Sequence, residues 1–315
     1  MDNRYQSPAV DQADDLRRLI EIQRKPSRGL AGLRSIAVVS GKGGVGKSNI
    51  SVNLALALGE SGMRILLLDA DLGMANVDLI CGITPRHTLA SVISGGKTVE
   101  DILVRIDRNV TVLPGGPGVQ EMADLDETGQ ALLIEKIGSL EGMADLLVID
   151  TGAGIHRSVL SFALAADTTL LVTTPEPTSV RDAYGVLKAL ALASRSRIDV
   201  SLVVNMAKTD KEALEVAERI QLAADQFLRL PVANAGYILR DDTVLDAVRF
   251  RRPFHIGSPQ GDAAKCIRRI ARKFSRDGET GGCVPTGRGM KAFFMRLVRR
   301  LGVWRHVPGG IAPRP

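Results

Sequence analysis

Short aliphatic segments alternate with longer amphipathic segments through most of the chain. Six segments rich in Val, Leu, Ile and Ala predict buried β-strands, at residues 35–40, 65–69, 110–113, 146–150, 168–173 and 200–205. Helical spacing of apolar residues predicts helices between them, at residues 49–61, 130–140, 179–194 and 211–228. This alternation predicts an α/β fold with a doubly wound, mostly parallel sheet that helices cover on both faces.

The pattern also divides the chain into parts. A short helix is predicted at residues 11–25, where Pro26 ends it, and two further helical segments, at 242–249 and 263–275, close the main domain. The predicted organisation is an N-terminal helix with its linker at 1–33, a nucleotide-binding domain at 34–275, a Gly- and Thr-rich linker at 276–289, an amphipathic helix at 290–304 and a tail at 305–315.

Composition favours an intracellular globular protein over a disulfide-rich or membrane-spanning one. The chain has 315 residues, of which 45% are hydrophobic and only 3% aromatic, so the expected core is large and aliphatic. Its three cysteines form no CxxC pair, which favours a reduced cytoplasmic compartment over a disulfide scaffold. We find neither a long apolar run nor a signal-peptide pattern, so we expect a cytoplasmic protein without a transmembrane segment.

Basic charge is concentrated at the C-terminal end. Residues 251–315 hold 15 Lys and Arg against 3 Asp and Glu, although the whole chain has a net charge of only +6. The remaining 250 residues are therefore acidic overall. A segment this basic favours an anionic surface, either lipid or nucleic acid.

A complete phosphate-binding motif follows the first predicted strand. Residues 41–48 match G-x-x-x-x-G-K-[ST] and lead into a predicted helix, which is the context that the motif requires. Backbone N–H groups and the helix N-terminus would bind phosphate oxygens, Lys47 would reach the β- and γ-phosphates, and the Ser48 hydroxyl would bind Mg²⁺. The expected nucleotide contacts in this loop are Gly41, Gly43, Gly44, Val45, Gly46, Lys47, Ser48 and Asn49.

A second lysine inside the loop points to one family. Residues 42–48 read Lys-Gly-Gly-Val-Gly-Lys-Ser, which resembles the MinD/ParA family of deviant Walker ATPases. The resemblance implies that Lys42 crosses the interface of an ATP-bound homodimer and neutralises charge on the partner's nucleotide, as an arginine finger does.

Two carboxylate-bearing segments extend this resemblance. Residues 66–73 end a strand in Asp-Ala-Asp and resemble the family's switch I, which implies that Asp71 activates the attacking water and that Asp69 lies near the metal's water shell. Residues 147–154 resemble the Walker B and switch II segment, so Asp150 would support Mg²⁺ and the following glycines would allow the loop to move. Many members have proline where this chain has Gly152.

The base site is indicated by a strand end. Asn205 follows an apolar strand at a position where family members place an asparagine that reads adenine. Residues 207–210 share only part of the guanine-reading N-K-x-D element, because the asparagine is missing. We therefore expect ATP rather than GTP, with Mg²⁺ as the metal.

The N-terminal segment indicates a branch of the family. Residues 11–17 match D-Q-A-x-x-L-R, which resembles the activator helix of the FlhG branch (also called FleN or YlxH) of flagellar-number ATPases. The resemblance implies control of flagellar number and placement, and stimulation of an FlhF-type GTPase of the signal-recognition-particle class. It also implies flagellar switch proteins and a transcription regulator as further partners. The expected GTPase contacts are Asp11, Gln12, Ala13, Leu16 and Arg17.

The pattern at residues 290–304 predicts an amphipathic helix that lies on a membrane surface. An apolar face carries Phe293, Phe294, Leu297, Leu301 and Trp304, and a basic face carries Arg296, Arg299 and Arg300. Such a helix is typical of a reversible anchor on an anionic inner-membrane surface. The alternatives are a core helix packed on the domain and a DNA-binding tail; DNA is disfavoured because DNA contact does not require the aromatic face.

Two other functions remain compatible with this sequence. One is division-site selection by a MinD-like ATPase. The other, from a different class, is a non-enzymatic membrane scaffold for flagellar assembly proteins. An ATP hydrolysis assay on the intact protein and on an Asp71→Ala variant separates an enzyme from a scaffold.

Overall fold

The computed structural model describes residues 33–71, 76–194, 198–275 and 288–303. The predicted N-terminal helix, most of the 276–289 linker, Trp304 and the tail lie outside these residues. In the described parts of the chain, no helix is both long enough and apolar enough to cross a bilayer.

Eight strands form one sheet. They are β1 (Arg34–Ser40), β2 (Ile65–Ala70), β3 (Val104–Asp107), β4 (Val110–Pro114), β5 (Leu146–Ala153), β6 (Thr168–Thr173), β7 (Val200–Ala207) and β8 (Val232–Leu239). Their order is β3-β4-β2-β5-β1-β6-β7-β8, and every pairing is parallel except that of β3 with β4. The prediction of a mostly parallel, doubly wound sheet is confirmed.

Helices cover both faces of this sheet. In chain order they are α1 (Lys47–Glu60), α2 (Val77–Cys81), α3 (Leu89–Ile93), α4 (Gly118–Asp124), α5 (Glu127–Gly138), α6 (Arg157–Ala165), α7 (Pro177–Ala193), α8 (Asp210–Leu228), α9 (Thr243–Arg249), α10 (Phe254–Gly257), α11 (Asp262–Phe274) and α12 (Met290–Val303). One core layer joins the sheet to α1, α10 and α11, and the other joins it to α5 to α8 and α12.

The sequence pattern missed both edge strands. In β3, partly buried residues alternate with exposed ones, so its four residues lack the continuous apolar run of a central strand. In β8, Asn234 and Gly236 interrupt the run, and several side chains are only partly buried because this strand has one neighbour. Edge strands give a weaker signal because less of their surface needs to be apolar.

The C-terminal helix is packed on the domain. Its apolar face contacts α4, α5 and α6, and Phe293, Phe294 and Leu297 are fully buried in the core layer on that side. Phe293 stacks on Phe162 of α6, with ring centroids 6.5 Å apart. The helix therefore forms as predicted, but its apolar face is covered by protein and is not a separate surface.

Polar contacts fix the position of α12. Glu141 accepts the backbone N–H groups of Met290, at 2.8 Å, and Lys291, at 3.4 Å, at the helix start. Lys291 Nζ lies 2.8 Å from both carboxylate oxygens of Glu135. Arg296 was expected on the solvated face, but it is half-buried and donates to the Ala165 carbonyl at 2.7 Å and to Asp167 at 3.2 Å. We call the site formed by α4, α5 and α6 with these acceptors the α12 groove.

Truncating Phe293 should destabilise the domain. We expect Phe293→Ala to lower the free energy of unfolding by about 3 kcal/mol, because a fully buried aromatic side chain leaves a cavity. Met295→Ala is the matched control on the same helix, since Met295 is 44% exposed, and it should change stability by less than about 0.5 kcal/mol. Urea denaturation measures both. Equal, small effects would show that α12 does not occupy the groove in solution.

Candidate functional site

The phosphate-binding loop lies at the carboxyl end of a central strand. β1 lies between β5 and β6, and the loop at residues 41–46 connects it to α1, which begins at Lys47. Gly46 has a φ of 86°, a left-handed conformation that favours glycine, and it caps the helix. A Cβ on Gly41 would lie 2.3 Å from the backbone carbonyl of Asp182 in α7, so only glycine fits there.

Lys47, at the start of α1, forms a buried ion pair with Asp150 of β5. Its Nζ lies 2.9 Å from Asp150 Oδ1 and also donates to the carbonyl of Thr151. Lys47 is 7% exposed and Asp150 is fully buried. Ser51, one turn into α1, donates to the same carboxylate oxygen at 2.9 Å. Asp150 is therefore the counterion that allows the Lys47 ammonium to be buried.

Two carboxylates meet beside this pair. Asp69 in β2 and Asp150 in β5 are register partners on neighbouring strands. Burial, with a contribution from the negative charge of Asp150, raises the pKa of Asp69 to about 7. Asp150 Oδ2 is buried, and no described residue donates a hydrogen bond to it. An unpaired oxygen beside a second carboxylate is a suitable site for a divalent cation, whose charge would favour the ionised form of Asp69.

Switch II lies close to Asp71. An ideal Cβ on Gly152 would lie 3.6 Å from Asp71 Oδ1, so the two predicted switch segments meet at the end of β5. The Thr151 hydroxyl donates to the Val38 carbonyl at 2.9 Å and ties β5 to β1. Asp71 is the last described residue before residues 72–75, so the rest of switch I lies outside the described chain.

Lys42 contacts its own subunit. Its Nζ lies 2.6 Å from Glu176 and 3.3 Å from the Thr178 hydroxyl, both at the start of α7. This pair is solvent-exposed, since Glu176 retains 66% of its side-chain exposure, so its contribution to stability is small. The sequence identified Lys42 but gave no signal for Glu176, because the contact joins residues 134 positions apart.

Asn205 supports the phosphate loop. Its Nδ2 donates to the Val45 carbonyl at 2.8 Å and would lie 2.4 Å from a Cβ at Gly46. The next residue, Met206, has a φ of 59° and a side chain that is 44% exposed, so the strand ends in an uncommon backbone conformation beside the loop. The structure thus brings Asn205 to the loop, while its role in reading adenine stays a prediction.

The predicted site residues fall into three groups. Lys42, Lys47, Ser48, Asp69, Asp71, Asp150 and Asn205 gather with the loop glycines at one edge of the sheet. Phe293, Phe294 and Leu297 lie elsewhere, in the α12 groove, and Leu301 is partly buried against the same core layer. The predicted GTPase contacts at 11–17 and Trp304 lie outside the described residues. Glu176, Ser51 and Thr151 contribute contacts that the sequence did not indicate.

Comparison with known proteins agrees with this geometry. Residues 36–254 match the CobQ/CobB/MinD/ParA nucleotide-binding domain. The antiactivator FleN of Pseudomonas aeruginosa is 40% identical over 238 residues, which cover 76% of this chain and 85% of FleN. The flagellum site-determining protein YlxH of Helicobacter pylori is 33% identical, over 85% of this chain and 90% of YlxH.

A solved relative shows the ligands that this type of site holds. The septum site-determining protein MinD of Pyrococcus horikoshii, solved with Mg-ADP, has a TM-score of 0.62 and 27% identity, with 78% of this chain and 97% of that chain covered. The chain therefore belongs to the MinD/ParA family of nucleotide-binding proteins and, within it, to the FlhG branch that contains FleN and YlxH.

Proposed function

We propose that this protein is an ATP-dependent, dimerising, membrane-associated switch that controls the number and placement of flagella. The observation that carries the proposal is the complete phosphate site, with a buried Lys47–Asp150 pair and a second lysine at the surface. The relatives support the biological output, because one is named an antiactivator and another a flagellum site-determining protein.

Nucleotide binding would exchange counterions at the end of β5. The phosphates of ATP would take over Lys47, and Ser48, Asp69 and Asp150 would hold Mg²⁺, which supplies positive charge to the β- and γ-phosphates. Asp71, which lies next to Gly152, orients the attacking water in this proposal. Asp150 would then exchange Lys47 for Mg²⁺, so the contacts of β5 would depend on the bound nucleotide.

Lys42 is suited to a role across a dimer interface. Its ion pair with Glu176 is exposed and weak, so a partner's phosphates, with their higher charge, would compete for it effectively. We propose that ATP brings two copies together with Lys42 of each copy on the nucleotide of the other. Hydrolysis then separates them.

The α12 groove supplies the membrane switch in this proposal. With α12 in the groove, Phe293, Phe294 and Leu297 are covered and cannot enter a bilayer. The floor of the groove is α6, which follows β5 after only three residues. A change at Asp150 and Thr151 therefore has a short covalent path to Phe162, the aromatic partner of Phe293. An ATP-bound dimer with two released helices would bind anionic lipid with avidity.

The helix predicted at residues 11–25 extends the proposal to a partner enzyme. Residues 11–17 carry the activator-like motif. In the helix predicted at 11–25, Ala13, Leu16 and Ile20 share one stripe at helical spacing. Such a stripe fits a groove on another protein. We propose that it docks on an FlhF-type GTPase and that Gln12 orients a water or a loop near the phosphate.

Loss of Lys47 should abolish nucleotide binding. We expect Lys47→Ala to weaken ATP affinity about 100-fold or more, because the phosphates lose a charge-assisted donor and Asp150 is left without its cation. Isothermal titration calorimetry with Mg-ATP measures it. Asp71→Ala is the control and should bind ATP normally while losing turnover and staying dimeric. Unchanged affinity in Lys47→Ala would refute the phosphate site, and full turnover in Asp71→Ala would refute the role of that residue.

Weakening the groove should increase membrane binding. The double substitution Glu135→Ala and Glu141→Ala removes two contacts to α12 without changing α12 itself. We expect about fivefold more protein on phosphatidylglycerol-containing vesicles, because the docked state loses about 1 kcal/mol. Sedimentation with ADP and with ATP measures the bound fraction.

The control for this experiment has the same change of charge. Glu121→Ala with Glu127→Ala alters exposed residues on α4 and α5 and should bind vesicles like the wild type. Deleting residues 290–303 should remove vesicle binding and spare ATP binding. Equal sedimentation of all full-length variants, or equal sedimentation of the wild type with ADP and ATP, would contradict nucleotide-controlled release.

The N-terminal helix should act as a separate activator. We expect a peptide of residues 1–26 to raise GTP turnover of the cognate FlhF-type protein without the ATPase domain. Gln12→Ala should reduce stimulation more than binding, whereas Leu16→Ala should reduce both, since Leu16 belongs to the docking stripe. A peptide that binds without raising turnover is only a tether. If it does neither, the motif match is coincidental and a MinD-like function is favoured.

A further inference from the structure

Helix α11 packs on the face of the sheet opposite to α12 and carries a cluster of positive charges. The polar side of α11 presents Lys265, Arg268, Arg269, Arg272 and Lys273, which we call the α11 basic surface. The apolar side of the helix is buried on α1 and β8. Between residues 251 and 274 the chain has seven Lys and Arg and a single acidic residue, Asp262.

Among the residues that the structure describes, carboxylates neutralise few of these charges. Lys265 lies 3.1 Å from Asp262, which is the one carboxylate paired with this surface among the described residues. Arg268 and Lys273 donate to the backbone carbonyls of Pro259 and Asn234, and Arg269 lies over the ring of Tyr237, at 5.4 Å from its centroid. These contacts orient the side chains and leave their positive charges available to an anionic partner.

The helix dipole accounts for only part of the pattern. Cations in the last turn stabilise a helix C-terminus, which explains Arg272 and Lys273. It does not explain Lys265 and Arg268, which lie in the first two turns. The charge extends instead along the whole exposed side of α11, as expected for an extended anionic surface.

Exposed apolar side chains occur in the segment that leads into α11. Phe250 is 79% exposed and Ile256, in α10, is 38% exposed, and α10 packs directly against α11. Arg251 and Arg252 are exposed in the same segment. Exposed apolar residues among basic ones match the headgroup layer of a bilayer, where charge and apolar insertion both contribute to binding.

We propose that the α11 basic surface is a second contact with anionic lipid headgroups. This inference rests on the proposed membrane function of α12. The chain runs from α11 through residues 275–289 to α12. The 15 residues from 275 to 289 span at most about 50 Å, so a released α12 can reach the α11 side of the domain. The lipid surface then contacts both helices, with α12 supplying apolar insertion and α11 supplying charge.

The test reverses charge on α11 in the full-length protein. Arg269→Glu, Arg272→Glu and Lys273→Glu together should reduce binding to phosphatidylglycerol vesicles about 100-fold or more, since each basic residue near an anionic leaflet strengthens binding about fivefold at low salt. The difference from wild type should disappear in roughly 0.5 M salt. Binding of Mg-ATP, which takes place at the other site, should be unchanged.

Two further variants keep the experiment interpretable. Lys208→Glu, Lys211→Glu and Arg219→Glu make the same charge change around α8, on the other face of the sheet, and should keep binding within about twofold of wild type. If the α11 reversal does not fold, Lys265→Gln, Arg268→Gln and Arg272→Gln remove charge without placing acid near the helix C-terminus, and should also weaken binding.

Comparing the α11 variant, the α8 variant and the deletion of 290–303 distinguishes lipid binding by α11 from lipid binding by α12. Vesicle binding that falls equally in the α11 and α8 variants, or in neither, overturns the α11 assignment even if deletion of 290–303 abolishes binding. Loss of binding in the α11 variant but not in the deletion supports α11 and refutes α12. If the α11 variant loses affinity for a DNA duplex and keeps its affinity for vesicles, the surface is a nucleic-acid site and the lipid assignment is wrong.

Discussion

The ion pair between Lys47 and Asp150 is the interaction on which the rest of this molecule depends. Both side chains are removed from water at the junction of β1, β5 and α1. Removing one member of such a pair leaves an unpaired buried charge, which destabilises a protein by roughly 3–5 kcal/mol. The Ser51 hydroxyl donates to Asp150, and Lys47 also donates to the Thr151 carbonyl. These contacts link the phosphate-binding loop, α1 and β5 through one buried ion pair.

Two features of the carboxylates beside this ion pair are suited to a cation. Asp150 Oδ2 has no donor among the described residues, and the pKa of Asp69 is raised to about 7 because the two carboxylates share a buried space. A cation would bring positive charge to the two carboxylates, and a polyphosphate would bring negative charge to Lys47. These features support a metal–nucleotide pair as the ligand, and its binding would change the partners of Asp150.

The sequence predicts the parts of the molecule that depend on local pattern. The phosphate loop and six central strands follow from glycine spacing and from aliphatic runs. Contacts between distant residues follow from neither: Glu176 is far from Lys42 in sequence, and Glu141 is 149 residues from Met290. The edge strand β8 was also missed, because Asn234 and Gly236 hide the pattern of a strand with one exposed edge.

The same limit applies to α12, which the sequence assigned to a membrane and the structure places in a protein groove. Periodicity identifies its apolar face but not what covers that face, since a protein groove and a lipid surface select the same residue types. The polar contacts distinguish the two, because Glu135 and Glu141 meet α12 at defined positions and Arg296 is half-buried against Ala165 and Asp167. A helix selected only for lipid would not need these matched partners. The helix that fills this groove also carries the aromatic and basic residues expected of a membrane anchor, so under the proposed function an event that moves α6 would shift α12 between the groove and the lipid surface.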